Sequence, residues 1–139
     1  MDRKEPIVTC VRSAWFEQAR ELIQRSERTS ANALDWIENQ VRSNCILLYR
    51  VERAGEFIGI FTGCIERELG EPNNFLVIHA VSIEEQETPF ICTLFPLIHG
   101  LAEKSGLASW SVRSQRPGMD KRLEQHGFEK VETIYKRNI

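Results

Sequence analysis

"FLVIHAVSIEEQETPFICTLF", residues 75–95, decides how this chain is read. Its first nine residues are almost continuously apolar, as in a strand covered on both faces of a sheet. Glu84, Glu85, Gln86, Glu87 and Thr88 follow as a polar turn with three carboxylates and no glycine. Thr88 can cap the next helix, and Pro89 can occupy its first position, where a missing N–H costs no intrahelical bond. Phe90, Ile91, Leu94, Phe95, Leu97, Ile98 and Leu101 surround most of that helix with apolar surface, which predicts burial. Pro96 removes a donor from its interior and Gly100 weakens it, so a bend or an interruption is expected there. A strand that leads through a turn into a helix is where many α/β proteins hold a phosphate on free backbone N–H groups and positive charge. Here the helix start is present and the charge has the opposite sign.

His79 lies inside the strand. Simple alternation puts it on the face of Phe75, Val77 and Val81, so it reads as a buried histidine with a hydrogen-bond partner. A catalytic base is the competing reading.

Toward the N-terminus, "PIVTCV" reads as a short first strand. Ser13 can cap a helix in which Trp15, Ala19, Leu22 and Ile23 recur at helical spacing, and "RSERTSAN" ends it. Asn32 can cap a second helix, with Asp35 near its third position and Leu34, Ile37 and Val41 on its apolar side. From Cys45 the period changes to two, giving two strands joined at "ERAGE", where Ala54 and Gly55 make a tight hairpin. Gly59 and Gly63 fall on one face of the second strand with Phe57, Phe61 and Ile65. Glycines there mark a bulge or close packing, with a ligand-facing role as the alternative.

Toward the C-terminus, Lys104 and Gly106 close the long helix and "LASWSVRS" forms a strand. Pro117 can start a short helix that Gly127 ends, with Phe128 free to make the hydrophobic contact such caps carry; "EKVETIYKR" is the last strand. The order β, α, α, β, β, β, α, β, α, β predicts an α/β (α+β) fold, a mixed sheet with helices on both faces. At 139 residues the chain is expected to form one domain spanning 1–139.

Composition narrows the function. With 18 Lys plus Arg against 20 Asp plus Glu, the formal charge of -2 gives no general attraction to nucleic acid. Arg113, Arg116, Lys121 and Arg122 are read as a solvated surface, because aromatic interleaving is absent. No apolar run approaches the roughly 20 residues of a membrane span, and the start "MDRKEPIVTC" lacks a secretory apolar segment, so a cytoplasmic address is expected. Cys10, Cys45, Cys64 and Cys92 are widely spaced in apolar or strand-like contexts and read as small buried thiols. His79, His99 and His126 add no close His/Cys spacing, so no metal site is expected.

The element order resembles the GCN5-related N-acetyltransferase (GNAT) superfamily over nearly the whole chain, most strongly from Phe75 to Lys136. The resemblance rests on the strand ending in "VSI", the lead "EEQ", the long helix, "SWSVRS", the Pro-initiated short helix and "LEQHGFEKVETIYKR". It implies a mixed, mostly antiparallel sheet flanked by helices. It also implies a site for acetyl-coenzyme A at the turn after the central strand. In the family an arginine or glutamine opens that turn, with a glycine three and a glycine or alanine five residues later. Matched on Gln86, those small residues become Pro89 and Ile91, which bring a missing N–H and extra bulk. Coenzyme binding is therefore expected to be weak or absent. What remains of the site is a strand-edge N–H between Val81 and Ile83, and the backbone from Gln86 through Phe90 and Ile91 to Cys92.

The family's proton-exchanging residues are replaced as well. The tyrosine of the short helix falls on Leu123, and the glutamate of the central strand falls near Phe75. His79 is the nearest substitute base and Tyr135 the substitute acid. Two functions stay open. One is an N-acetyltransferase acting on an unidentified amine, compatible with a homodimer. The other is a catalytically inactive GNAT-fold structural or protein-binding module within a larger assembly.

Overall fold

The computed structural model describes residues 7–27, 30–66, 73–84, 90–112, 119–125, 127–129 and 137. Within them run β1 (Val8–Ser13), α1 (Glu17–Glu27), α2 (Ala31–Arg42), β2 (Leu47–Arg53), β3 (Glu56–Glu66), β4 (Asn74–Ser82), α3 (Phe90–Lys104), β5 (Ser109–Val112) and α4 (Met119–Gln125). The strands form a sheet in the order β1-β2-β3-β4-β5. The first three pairings are antiparallel, and β4 pairs parallel with β5. This is the mixed, mostly antiparallel sheet expected from the sequence. The expected last strand, with Tyr135, lies outside the described residues, as do Gln86, Thr88, Pro89 and Pro117.

Local chemistry accounts for most boundaries. Ala54 (φ 51) and Gly55 (φ 83) both occupy the left-handed region, which lets the β2–β3 turn follow the twist of its strands. At the end of α3, Gly106 (φ 72) allows its own N–H to reach Glu103 O at 3.1 Å and that of Leu107 to reach Ala102 O at 2.9 Å. Gly127 (φ 87) repeats the arrangement after α4, with Phe128 N–H on Leu123 O at 3.0 Å. The ring of Phe128 then packs 4.8 Å from Trp110 and 5.1 Å from Phe95.

Several local expectations are corrected. The cap of α2 is Ser30, whose Oγ accepts from Ala33 N–H at 3.3 Å; Asn32 is already helical. Ser13 ends β1, and α1 begins later, at Glu17. Helix α3 runs uninterrupted through Pro96, which lies on its exposed side. Cys45 is exposed, and Cys10, Cys64 and Cys92 are half-buried free thiols.

Two apolar layers cover the sheet. On one face Phe90, Leu94 and Ile98 of α3 pack on Tyr49, Val51, Phe61, Phe75 and Val77. On the other, Ala19, Leu22 and Ile23 of α1 and Leu34, Ile37 and Val41 of α2 cover Leu48, Ile60 and Val81. Each fully buried large side chain stabilises the fold by about 1.5–3 kcal/mol. The start of α1 is tied down by Arg50, whose guanidinium lies 5.1 Å from the ring centres of both Phe16 and Phe57. No helix among the described residues is long and apolar enough to cross a membrane.

Register irregularities reassign the faces. Thr62 pairs with His79 but Gly63 pairs with Val77, so Ile78 is an extra residue in β4. Phe75 and Val77 therefore face α3, while Ile78, His79 and Val81 face α1 and α2, against the single face that alternation predicts. Ile58 is likewise extra in β3, between Phe57 opposite Glu52 and Gly59 opposite Val51. It separates Phe57, on the α1 side, from Phe61, on the α3 side. Gly59 and Gly63 serve close packing: a Cβ on Gly59 would sit 2.8 Å from Phe90 Cζ and against Val81 O, and one on Gly63 would meet the Phe75 ring and Leu76 O.

Candidate functional site

The β4 bulge opens a cleft of about 380 Å³ between the sheet and α2. Helix α2 contributes Trp36, Ile37 and Gln40, and the turn after it contributes Cys45 and Ile46. Strand β3 supplies Cys64 and Glu66, and β4 supplies Leu76, Ile78 and His79. A bulge bends its strand and re-aims side chains. Here it turns two consecutive residues, Ile78 and His79, toward the same helices.

His79 is 5% exposed and its Nδ1 lies 2.6 Å from the Oγ1 of Thr62, which is fully buried. With Nδ1–H donating to the hydroxyl, Nε2 carries the lone pair and can take a proton; in the other tautomer Nε2 donates. The satisfied buried histidine expected from the sequence and a histidine that lines a cleft are thus the same residue. No sequence motif singles out Glu66, Gln40 or Trp36, which line the same cleft. The available signal is Trp36, a large aromatic that falls off the Leu34, Ile37 and Val41 stripe of α2, and the structure leaves it 59% exposed.

At the other end of β4 stand the coenzyme candidates. Ile83 donates its N–H to Ile58 O at 3.0 Å, and Val81 opposes Ile60 in the same antiparallel ladder. Because such a ladder alternates, Val81 and Ile83 point their N–H groups to β3, and Ala80 and Ser82 point theirs away from it. Among the described residues the β4–β5 ladder runs from Asn74 opposite Ser109 to Val77 opposite Val112, and β4 continues to Ser82. Phe90 and Ile91 are buried in the core at the first turn of α3, and Cys92 is half-buried. One acidic charge of the turn is offset, since Glu84 lies 3.7 Å from Arg53. Arg25 of α1 donates to Ser82 O at 2.6 Å. Phe75 is buried under α3, and Leu123 packs against the same apolar layer.

Neither a protein-family model nor a curated protein matches the sequence. Solved structures do match. Ribosomal-protein-alanine N-acetyltransferase from Brucella melitensis biovar Abortus 2308 superposes with a TM-score of 0.69 at 12% identity, over 96% of this chain and 99% of its own. An aminoglycoside acetyltransferase from an uncultured soil metagenomic sample, solved with sisomicin, gives 0.68 at 12% identity over 95% and 97%. A Clostridium acetobutylicum protein described as a predicted acetyltransferase, solved with acetyl-CoA, gives 0.62 at 8% identity over 95% and 96%. The chain has the GNAT acetyltransferase fold. At these identities the likeness is one of architecture.

Proposed function

We propose that the protein is an N-acyltransferase that draws on acetyl-coenzyme A and accepts an amine in the cleft at His79. The observation that carries this reading is the placement of His79, held by Thr62 and lining a cleft between the sheet and α2. When bound, the coenzyme supplies a thioester whose acyl carbon passes to the amine nitrogen while the carbon–sulfur bond breaks and the sulfur leaves as the thiol. Nε2 of His79 takes the proton that the amine loses, which balances the one the sulfur gains. The N–H groups of Ala80 and Ser82 would hold the acyl-bearing arm and its carbonyl oxygen. Tyr135 is the proposed proton donor to the sulfur.

A second reading, a GNAT-fold binding module without catalysis, is favoured by the first turn of α3. Phe90 and Ile91 complete the core there without a coenzyme. Together with Pro89 this keeps coenzyme binding weak, with a dissociation constant above about 1 μM, or less than roughly 8 kcal/mol of binding free energy.

Turnover of a broad amine panel with acetyl-coenzyme A, paired with isothermal titration, separates the two. Folded His79→Gln with at least a 100-fold selective loss of turnover is the expected result, and Tyr135→Phe tests the acid in the same assay. Wild-type protein that neither binds the coenzyme nor acetylates any amine overturns the acyltransferase reading.

A further inference from the structure

We propose that Arg50 is a binding site for a small monocarboxylic acid with an apolar body, on the sheet face that α1 covers. Arg50 lies in β2, opposite Val11 of β1 and Ile60 of β3. Its guanidinium is 5.1 Å from the ring centres of Phe16 and Phe57, which meet edge to face at 5.8 Å. Its Nε is buried without a hydrogen-bond partner, and among the described residues the ion pairs go to Arg20, Arg42, Arg53 and His99 instead. An arginine keeps its charge at any pH the fold meets, and a positive charge shielded from water without a counter-charge is costly. The two rings attract the charge through their faces, but they accept no hydrogen bond of the strength an oxygen gives the in-plane N–H groups. Arg50, Phe16 and Phe57 do not line the cleft at His79, so this site stands apart from the acyltransferase reading.

The surroundings set the charge and the body of the ligand. A guanidinium presents parallel N–H groups that match the two oxygens of a carboxylate. Other arginines are engaged: Arg53 with Glu84, Arg20 with Asp35 and Glu38, and Arg12 with the Asn44 side chain. The site therefore offers a single positive charge. Glu17 follows Phe16 in the chain, and Glu52 shares the face of Arg50 two residues on; neither pairs with the guanidinium. A monoanion in direct contact with Arg50 tolerates those carboxylates better than a dianionic phosphate does. Val11 is 52% exposed on the same face, and Trp15 and Phe16 are half-buried at the entry to α1. A hydrocarbon body resting on these side chains removes apolar surface from water on both sides.

Phenylacetate, its neutral counterpart phenylacetamide, and inorganic phosphate are titrated against the full chain at an ionic strength fixed with sodium chloride. Ligand-observed NMR gives the affinities, and the nitrogen-15 signal of the Arg50 Nε–H group reports where the ligand sits. The expected result is at least tenfold tighter binding of phenylacetate than of either comparison compound, with a shift of the Arg50 signal. Arg50→Met, which keeps an apolar chain between the rings, should abolish the preference for acid over amide. Arg50→Lys, which keeps the charge and loses the fork, should weaken phenylacetate at least fivefold. No binding of phenylacetate, equal binding of acid and amide, tighter binding of phosphate, or a preference that survives both substitutions overturns the proposal. The comparison of the three ligands is made on the wild-type chain, so it decides even where a variant fails to fold.

Discussion

Thr62 Oγ1 and His79 Nδ1 lie 2.6 Å apart on neighbouring strands, directly opposite each other in the ladder and both shielded from solvent. A buried hydroxyl facing a buried ring nitrogen is a cross-strand pair in which each group desolvates the other, so removing one leaves the other's polar atom without that partner. Thr62→Val should cost about 1–3 kcal/mol in urea unfolding, and Thr62→Ser, which keeps the hydroxyl, clearly less. Equal midpoints for the two variants would show that the bond does not hold His79.

Gly59 is required by its neighbours rather than by its own backbone. Gly59→Ala should destabilise by about 1–3 kcal/mol, because its Cβ meets Phe90 and the Val81 carbonyl. Phe90→Leu in the same chain should recover part of that loss, since the ring is the movable half of the clash. Thermal unfolding of both single variants and the double variant measures the coupling; strict additivity would show that the contact is not felt.

Ala54 sits at φ 51, where a Cβ is strained. Ala54→Gly and Ala54→Asn should each raise stability by about 0.5–1 kcal/mol, asparagine and glycine being the residues such hairpin turns favour. A lower urea midpoint for both would remove strain at this turn as a cost to the fold.

Burial raises the pKa of the Cys10 thiol, and burial likewise raises that of the Tyr49 phenol, opposed there by the charge of Arg12. Both groups hold their proton more tightly folded than unfolded, so their contribution is complete below the unfolded values and declines as pH rises through the folded ones. Unfolding midpoints should fall from about pH 9 upward. Combining Cys10→Ala with Tyr49→Phe should flatten that fall; an unchanged slope would place its origin elsewhere.

The order of the described elements, β1 through α4, and the two-sided cover of β4 were legible because they follow from local patterns. Long apolar runs, helical spacing in α1, α2 and α3, and glycines at the hairpin and at two helix ends act over a few residues each. The cap of α2 is Ser30, two residues before Asn32; both are good cap residues, and only the backbone at Ser30, extended at φ -65 and ψ 158, decides between them. His79 was legible as a histidine of the central strand with a hydrogen-bond partner. Glu66 and Trp36 were not legible as its neighbours, since residues on β3 and α2 meet β4 only after the sheet and helices assemble.

By itself, the sequence determined which of the described segments become strand or helix and that β4 is apolar enough to be covered on both faces. Only the tertiary structure decided which way His79 points. A strand's side chains alternate with a period of two, so the single extra residue at Ile78 moves every later side chain to the other face. Nothing in "FLVIHAVSI" marks Ile78 as that residue: it is set by the pairing of Thr62 with His79 and of Gly63 with Val77, a choice made across strands by hydrogen bonds and by the packing of Phe75 over Gly63.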